Sequence, residues 1–101
     1  MARAVAELRS WPALVVSDGR RGTSFAVRGT EILRLTGADE VRVRLTAPAI
    51  DRLAPYLSTC EQVQACEDRA WVAVVVDAEP DLELLFALTS VAIKEHVPIE
   101  A

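Results

Sequence analysis

The chain has 101 residues, 51% of them apolar and 26% charged, with a formal net charge of −4 and two cysteines. That length makes one domain, the apolar content argues against disorder, and the cysteine usage is too sparse for a disulfide scaffold. No apolar run approaches the roughly 20 residues that span a bilayer. The first residues are interrupted by Glu7 and Arg9 and do not read as a signal peptide, so the expectation is a soluble, cytoplasmic protein with no membrane partner. Charge is uneven: residues 1–52 hold nine arginines against six acids, and residues 53–101 hold Arg69 and Lys94 against nine acids. The strong preference for arginine over lysine, with abundant alanine and valine, reads as the codon composition of a GC-rich genome.

Ala2–Arg9 carries Val5 and Leu8 at helical spacing and stops at Ser10-Trp11-Pro12, since a residue before proline is pushed out of the helical region. Leu14–Ser17 reads as a strand, and Asp18-Gly19-Arg20-Arg21-Gly22 turns the chain back. Thr23–Val27, Glu31–Leu35 and Glu40–Leu45 alternate apolar and polar residues, the pattern of strands with one buried and one wet face. Arg28-Gly29 and Thr36-Gly37-Ala38-Asp39 are the turns between them, which makes the four strands an antiparallel meander. Thr46 is placed to cap a helix with Pro48 in its first turn and Ile50, Leu53 and Leu57 on one face. Pro55 is expected to break or bend that helix midway. Val63–Cys66 is a weak strand.

Ala70–Val76 is apolar on both faces, which predicts an interior strand covered on both sides. Asp77 to Asp81 brings acids to the positive end of a long last helix. There Leu82, Leu85, Phe86, Thr89, Ile93 and His96 follow the helical period, Leu84, Leu88 and Val91 widen the stripe, and the helix ends near Val97-Pro98. The whole reads as a single α+β domain over residues 1–101, ordered α-β-β-β-β-α-β-β-α, with the terminal helix packed on one face of a mainly antiparallel sheet. The opposite face near Val72, Val74 and Val76 then needs cover from the N-terminal helix or from a second copy of the chain, which predicts a homodimer.

The chemistry-bearing residues are few. His96 is the single histidine, placed to meet helix-end carbonyls, and one His with a C-x5-C pair is not a zinc signature. Cys60 and Cys66 have acidic sequence neighbours, Glu61 and Glu67, which raise a thiol pKa, so they read as small core or edge residues. No nucleophile–base pair, phosphate loop or dinucleotide fingerprint is present, and no cofactor is implied. Arg42 and Arg44 share one face of their strand, and Arg34 shares its side with Ile32. With a suitable register the three, and Arg28 beside them, would cluster on an open sheet face and hold a small anionic ligand by forked hydrogen bonds. The more ordinary alternative is a solvated face paired to Glu31 and Glu40. Nucleic acid is disfavoured by a pI near 4.9 and by the lack of a basic helix stripe. Trp11 and Trp71 read first as core anchors and second as pocket walls.

Phe25–Thr36, Glu40–Thr46 and Arg69–Val72 together resemble the small luciferase-domain family of bacterial and fungal proteins. That resemblance runs over about residues 11–96 and implies an α+β domain. It has a strand of the form Glu-Ile-x-His-x-His, a strand ending Arg-Leu, a helix, a Gly-Trp-Val strand and a final helix. Glu31, Ile32, Arg44, Leu45 and Trp71 match that pattern, while the two family histidines fall on Arg34 and Thr36. Arginine neither ligates a metal nor acts as a base near neutrality, so the resemblance supports the fold more than an activity. The expected function is a non-catalytic binding or protein-interaction module with Glu31, Arg34, Arg42, Arg44 and Trp71 as ligand-binding candidates. The alternative is a small cofactor-independent isomerase, cyclase or lyase with Glu31 as base and the arginines as electrostatic stabilisers.

Overall fold

In the computed structural model, which describes residues 2–20, 22–37 and 39–97, three helices and six strands take the expected order. They are α1 (Ala2–Arg9), β1 (Val15–Gly19), β2 (Gly22–Val27), β3 (Thr30–Leu35), β4 (Glu40–Arg44), α2 (Ala47–Leu57), β5 (Val63–Ala65), β6 (Trp71–Val75) and α3 (Glu79–His96). Arg21, Ala38 and Pro98, assigned above to two turns and a helix end, lie outside the described residues. No described helix is long and apolar enough to cross a membrane.

The strands form one antiparallel sheet in the order β1-β2-β3-β4-β6-β5. Arg28 and Gly29, at φ 50° and 82°, make the two-residue hairpin turn between Val27 and Thr30. Positive φ at both central positions matches the twist of the flanking strands. Arg28 is thereby committed to an exposed turn and does not join the sheet-face arginines.

β3 departs from simple alternation. Phe25 pairs with Leu33 but Ala26 pairs with Glu31, so β3 carries one extra residue, Ile32, opposite β2. At this bulge Ile32 and Leu33 are both fully buried. Arg34 therefore lies opposite Ile32 in facing, contrary to the alternation read from the sequence.

One core holds Leu33, Val41, Val43, Val72 and Val74 from the sheet and Leu84, Leu85, Leu88 and Ala92 from α3. Leu85 and Thr89 of the expected stripe are fully buried in α3, with Ala92, Leu84 and Leu88 buried beside them, while Leu82, Phe86 and Ile93 are half-buried. All three helices stand on this side. Ala4 and Leu8 of α1 and Ala49 and Leu57 of α2 belong to the same core. Trp11 packs on Phe86 with ring centroids 5.8 Å apart, and ion pairs Arg3–Glu79 and Arg52–Glu95 tie α1 and α2 to α3.

β6 is interior, between β4 and β5, and this corrects the case for a second copy. Val72, Val74 and Val76 are buried on the helix side, so they need no cover. Trp71, Ala73 and Val75 face the other way, where none of the described helices lies, and side chains of neighbouring strands shield them.

Pro55 sits inside an unbroken α2. It falls within three residues of the helix end, so its missing N–H forfeits one hydrogen bond and no helix beyond it needs support. Thr46 caps α2 through Oγ1, which accepts from the Ala49 N–H at 3.3 Å, but its backbone is at φ 93°, ψ 149°. That region is nearly reserved for glycine. Two N–H groups, of Leu45 and Thr46, donate to the Ala70 carbonyl and hold the strained residue in place. At the start of α3, Asp81 Oδ2 accepts from the Asp77 and Ala78 N–H groups and Oδ1 from Gln62 Nε2, each at 3.0 Å. The two backbone N–H bonds, more than Gln62, hold the Asp81 carboxyl below its ordinary pKa.

Two outcomes test this frame. Thr46→Gly relieves strain of about 1–3 kcal/mol and gives up a few tenths as a cap and about 0.5–1 in chain entropy. Urea unfolding is expected to show a gain near 1 kcal/mol, whereas Thr46→Val, which keeps the strain and loses the cap, is less stable than the parent. A depressed folded-state pKa stabilises above the unfolded value near 3.9 and loses that contribution as pH falls through the folded value. Asp81→Asn is therefore expected to flatten the fall in Tm below about pH 4 seen for the parent.

Candidate functional site

The strand registers place one row of side chains across the helix-free face: Ser24, Arg34, Arg42, Ala73 and Gln64, on β2, β3, β4, β6 and β5 in turn. Every member but one is polar. Ala73, 4% exposed, is the small residue among long neighbours, and it forms the floor of a hollow of about 560 Å³. Arg34 and Arg42 wall it on one side, Gln64 on the other and Trp71 at one end, and Glu67 and Asp68 of the β5–β6 turn stand at its rim. The volume falls within the roughly 300–1,000 Å³ of small-molecule sites.

The arginines differ in how firmly they are held. Arg34 Nε and Nη2 both lie 2.6 Å from Glu31 Oε1, and its guanidinium carbon stands 5.2 Å from the Trp71 ring centroid. It is fixed between a carboxylate and an aromatic face. Arg42 approaches Glu40 only to 3.9 Å, and its side chain makes no hydrogen bond among the described residues. Arg44 pairs in register with Trp71 and its Nε is shielded from solvent with no hydrogen-bond partner among the described residues. Arg44 is not a wall of the hollow but adds to its positive field.

Arg34 and Arg42 are direct cross-strand partners. Like charges so placed are destabilising, by a fraction of a kcal/mol to about 1 kcal/mol. The sheet carries this conflict beside the hollow over Ala73.

Glu31 lies outside the large hollow and lines a smaller one of about 160 Å³ with Gly22, Thr23, Ser24 and Arg34. Its Oε1 is held by two arginine donors, and it does not line the hollow over Ala73. Trp71 is half-buried on the open face and is a wall of the hollow, not a core anchor. Trp11 is half-buried against α3. Cys66 lines the hollow. Its thiol is pushed up by burial first, against the pull of Arg42, with Glu40 and Asp68 adding to the rise. The acids that act on it are thus spatial neighbours from β4 and the turn, not Glu67 beside it in sequence. Asp68 also has a local task, since Oδ1 accepts from the Ala70 N–H at 2.9 Å. His96 Nδ1 lies 2.8 Å from the Ala92 carbonyl oxygen in the last turn of α3. Among the described residues no three His, Cys, Asp or Glu side chains are grouped to share a metal ion.

Glu40, Gln64, Cys66 and Ala73 were not singled out by sequence reasoning as parts of this site. The one signal available was Ala73, a small residue amid Trp71, Val72, Val74 and Val75 in an interior strand. Its meaning depends on the β4–β6 pairing, which no local pattern encodes.

Arg42→Thr is expected to raise stability by about 0.5 kcal/mol, because it removes the cross-strand repulsion and places a good strand former on a pleated surface. Arg34→Thr, which also loses Glu31 and Trp71, is expected to give no gain. Chemical denaturation of both variants and the double variant reads the coupling directly.

No curated protein and no solved structure matches this chain. A family model does: the Luciferase domain, over residues 29–92, a segment that runs from the β2–β3 turn through most of α3 and contains Glu31, Arg34, Arg42, Arg44, Ala73 and Trp71. The chain belongs to the Luciferase domain family.

Proposed function

We propose that the chain is a non-catalytic binding module that takes a small organic anion in the hollow over Ala73. The observation that carries this reading is the cross-strand pair Arg34–Arg42 on a helix-free sheet face. A repulsive pair beside a cavity is the kind of local conflict that sequences keep at functional sites, and an anion between the guanidiniums turns repulsion into two charge-assisted contacts. Arg34, already fixed by Glu31 and Trp71, supplies a preorganised wall, and Arg42 supplies the uncommitted donors. The acidic rim of Glu67 and Asp68 repels an anion from the turn side and orients it toward β4. The enzyme alternative is the weaker one, because its base, Glu31, is engaged by Arg34 and lies outside the hollow.

A second reading is a homodimer that buries the same face. Its support is Trp71 and Val75, half-buried with no helix over them. The two readings compete for one surface, so a ligand in the hollow would disperse such a dimer.

Isothermal titration with benzoate tests the module. Binding is expected, and Arg42→Gln and Ala73→Phe, which remove the donor and fill the floor, should each weaken it about tenfold or more, a loss of roughly 1.4 kcal/mol. Absence of benzoate binding, or equal binding by the parent and both variants, defeats the reading. Light scattering on the same samples decides the dimer: a doubled mass that benzoate halves supports it, and a monomer at all concentrations removes it.

A further inference from the structure

A second hollow, of about 280 Å³, lies on the helix side of the sheet at the same end of β6. Its walls include Ala47 and Ile50 at the start of α2, with Val72 from β6. Asp51 and Arg69 also line it, and both are exposed. Three residues, Ala65, Cys66 and Trp71, wall both hollows. The two depressions therefore meet around the end of the β5–β6 hairpin, where β5 is only three residues long and the sheet edge offers no further strand to separate them.

The two ends differ in chemistry. On the open face the hollow has two guanidiniums, one of them loosely engaged. On the helix side its inner wall is aliphatic, and Trp71 and Cys66 form an apolar passage between. From this arrangement we infer that the ligand is an amphipathic carboxylate: its head sits against Arg42 over Ala73, and its apolar tail bends past Trp71 and Cys66 into the hollow beneath α2. The inference rests on the binding reading above and specifies the ligand class of that site. A tail on the helix side removes apolar surface from water, which adds affinity in proportion to its length.

The strained Thr46 bears on the same place. It joins β4 to α2 and fixes the backbone just before Ala47, and its hold is the Ala70 carbonyl next to Trp71. The position of the α2 start relative to Trp71 is thus set by backbone hydrogen bonds, and with it the width of the tail hollow.

The test is a ligand series read by the emission of Trp71 in a Trp11→Phe background, where Trp71 is the only tryptophan. Each buried methylene is worth about fourfold in affinity. Octanoate is expected to bind about tenfold or more tightly than propionate, and octylamine to bind far more weakly than octanoate. Ala47→Leu or Ile50→Phe, which fill the tail hollow, should bring octanoate down toward propionate. Equal affinity for propionate and octanoate overturns the tail while leaving the anion site standing, and so does an octanoate advantage that survives both filling variants. Octylamine binding as well as octanoate, or octanoate binding unaffected by Arg42→Gln, overturns the head and the binding reading with it. The series on the parent-like protein decides the matter even where a filling variant does not fold.

Discussion

With α1, α2 and α3 on one side of the sheet, the other side has to be kept in order by side chains alone. A sheet face with no helix over it presents backbone and Cβ atoms to water unless long residues lie across it. Arginine does this well, since its methylene stem covers apolar surface while the guanidinium stays solvated. Arg34 reaches the Trp71 ring, and Arg42 stands beside Ala73 in register. Ala73 is nearly inaccessible although nothing but side chains covers it. The cover is thin, and where the row passes from Arg42 to Gln64 over an alanine it opens into a hollow.

The bulge at Ile32 makes that face possible. Without the extra residue, Glu31 and Leu33 would share one side of β3, and Ile32 and Arg34 the other. The bulge puts Ile32 and Leu33 together in the core and leaves Glu31 and Arg34 both outside, close enough for a two-nitrogen contact with one carboxylate oxygen. A single inserted residue thus enlarges the core and sets an arginine next to its counter-ion. The pairing engages one oxygen of Glu31 and, with the Trp71 ring, gives Arg34 a fixed orientation.

How much of this is legible in the residues alone depends on the range of each interaction. The β2, β3 and β4 strands, the α1 bounds and the long α3 came from local periodicity, and the structure agrees closely. The α2 cap at Thr46 was legible from residue type, but its positive φ was not, since a β-branched residue gives no warning of it. The break expected at Pro55 failed because a proline's effect depends on how much helix lies beyond it. For β3 the trace of the bulge was Ile32 next to Leu33, two apolar neighbours in an alternating strand, and strict alternation read them as opposite. The helix-side position of Val72 and Val74 required the β4–β6 pairing, which joins segments some thirty residues apart in the chain. Reversing those faces is what sent the expected second copy to residues that α3 already covers. The site residues Glu31, Arg34, Arg42, Arg44 and Trp71 were named from their types, yet the hollow beside them, with Gln64, Cys66 and Ala73, exists only once the registers are fixed.

The family pattern gains meaning against this geometry. A histidine at position 34 would stand on the open face, and one at position 36 just beyond the end of β3, where Thr36 donates its N–H to the Glu40 carbonyl. A histidine at 34 could pair with Glu31 and also hold a proton that exchanges near neutrality. Arg34 makes that pairing with Glu31, and its guanidinium stays charged at neutral pH. The cation beside Glu31 and over Trp71 is a guanidinium in this chain. The open face of this chain therefore carries a permanent positive charge beside Trp71, and the anion site proposed above depends on that charge.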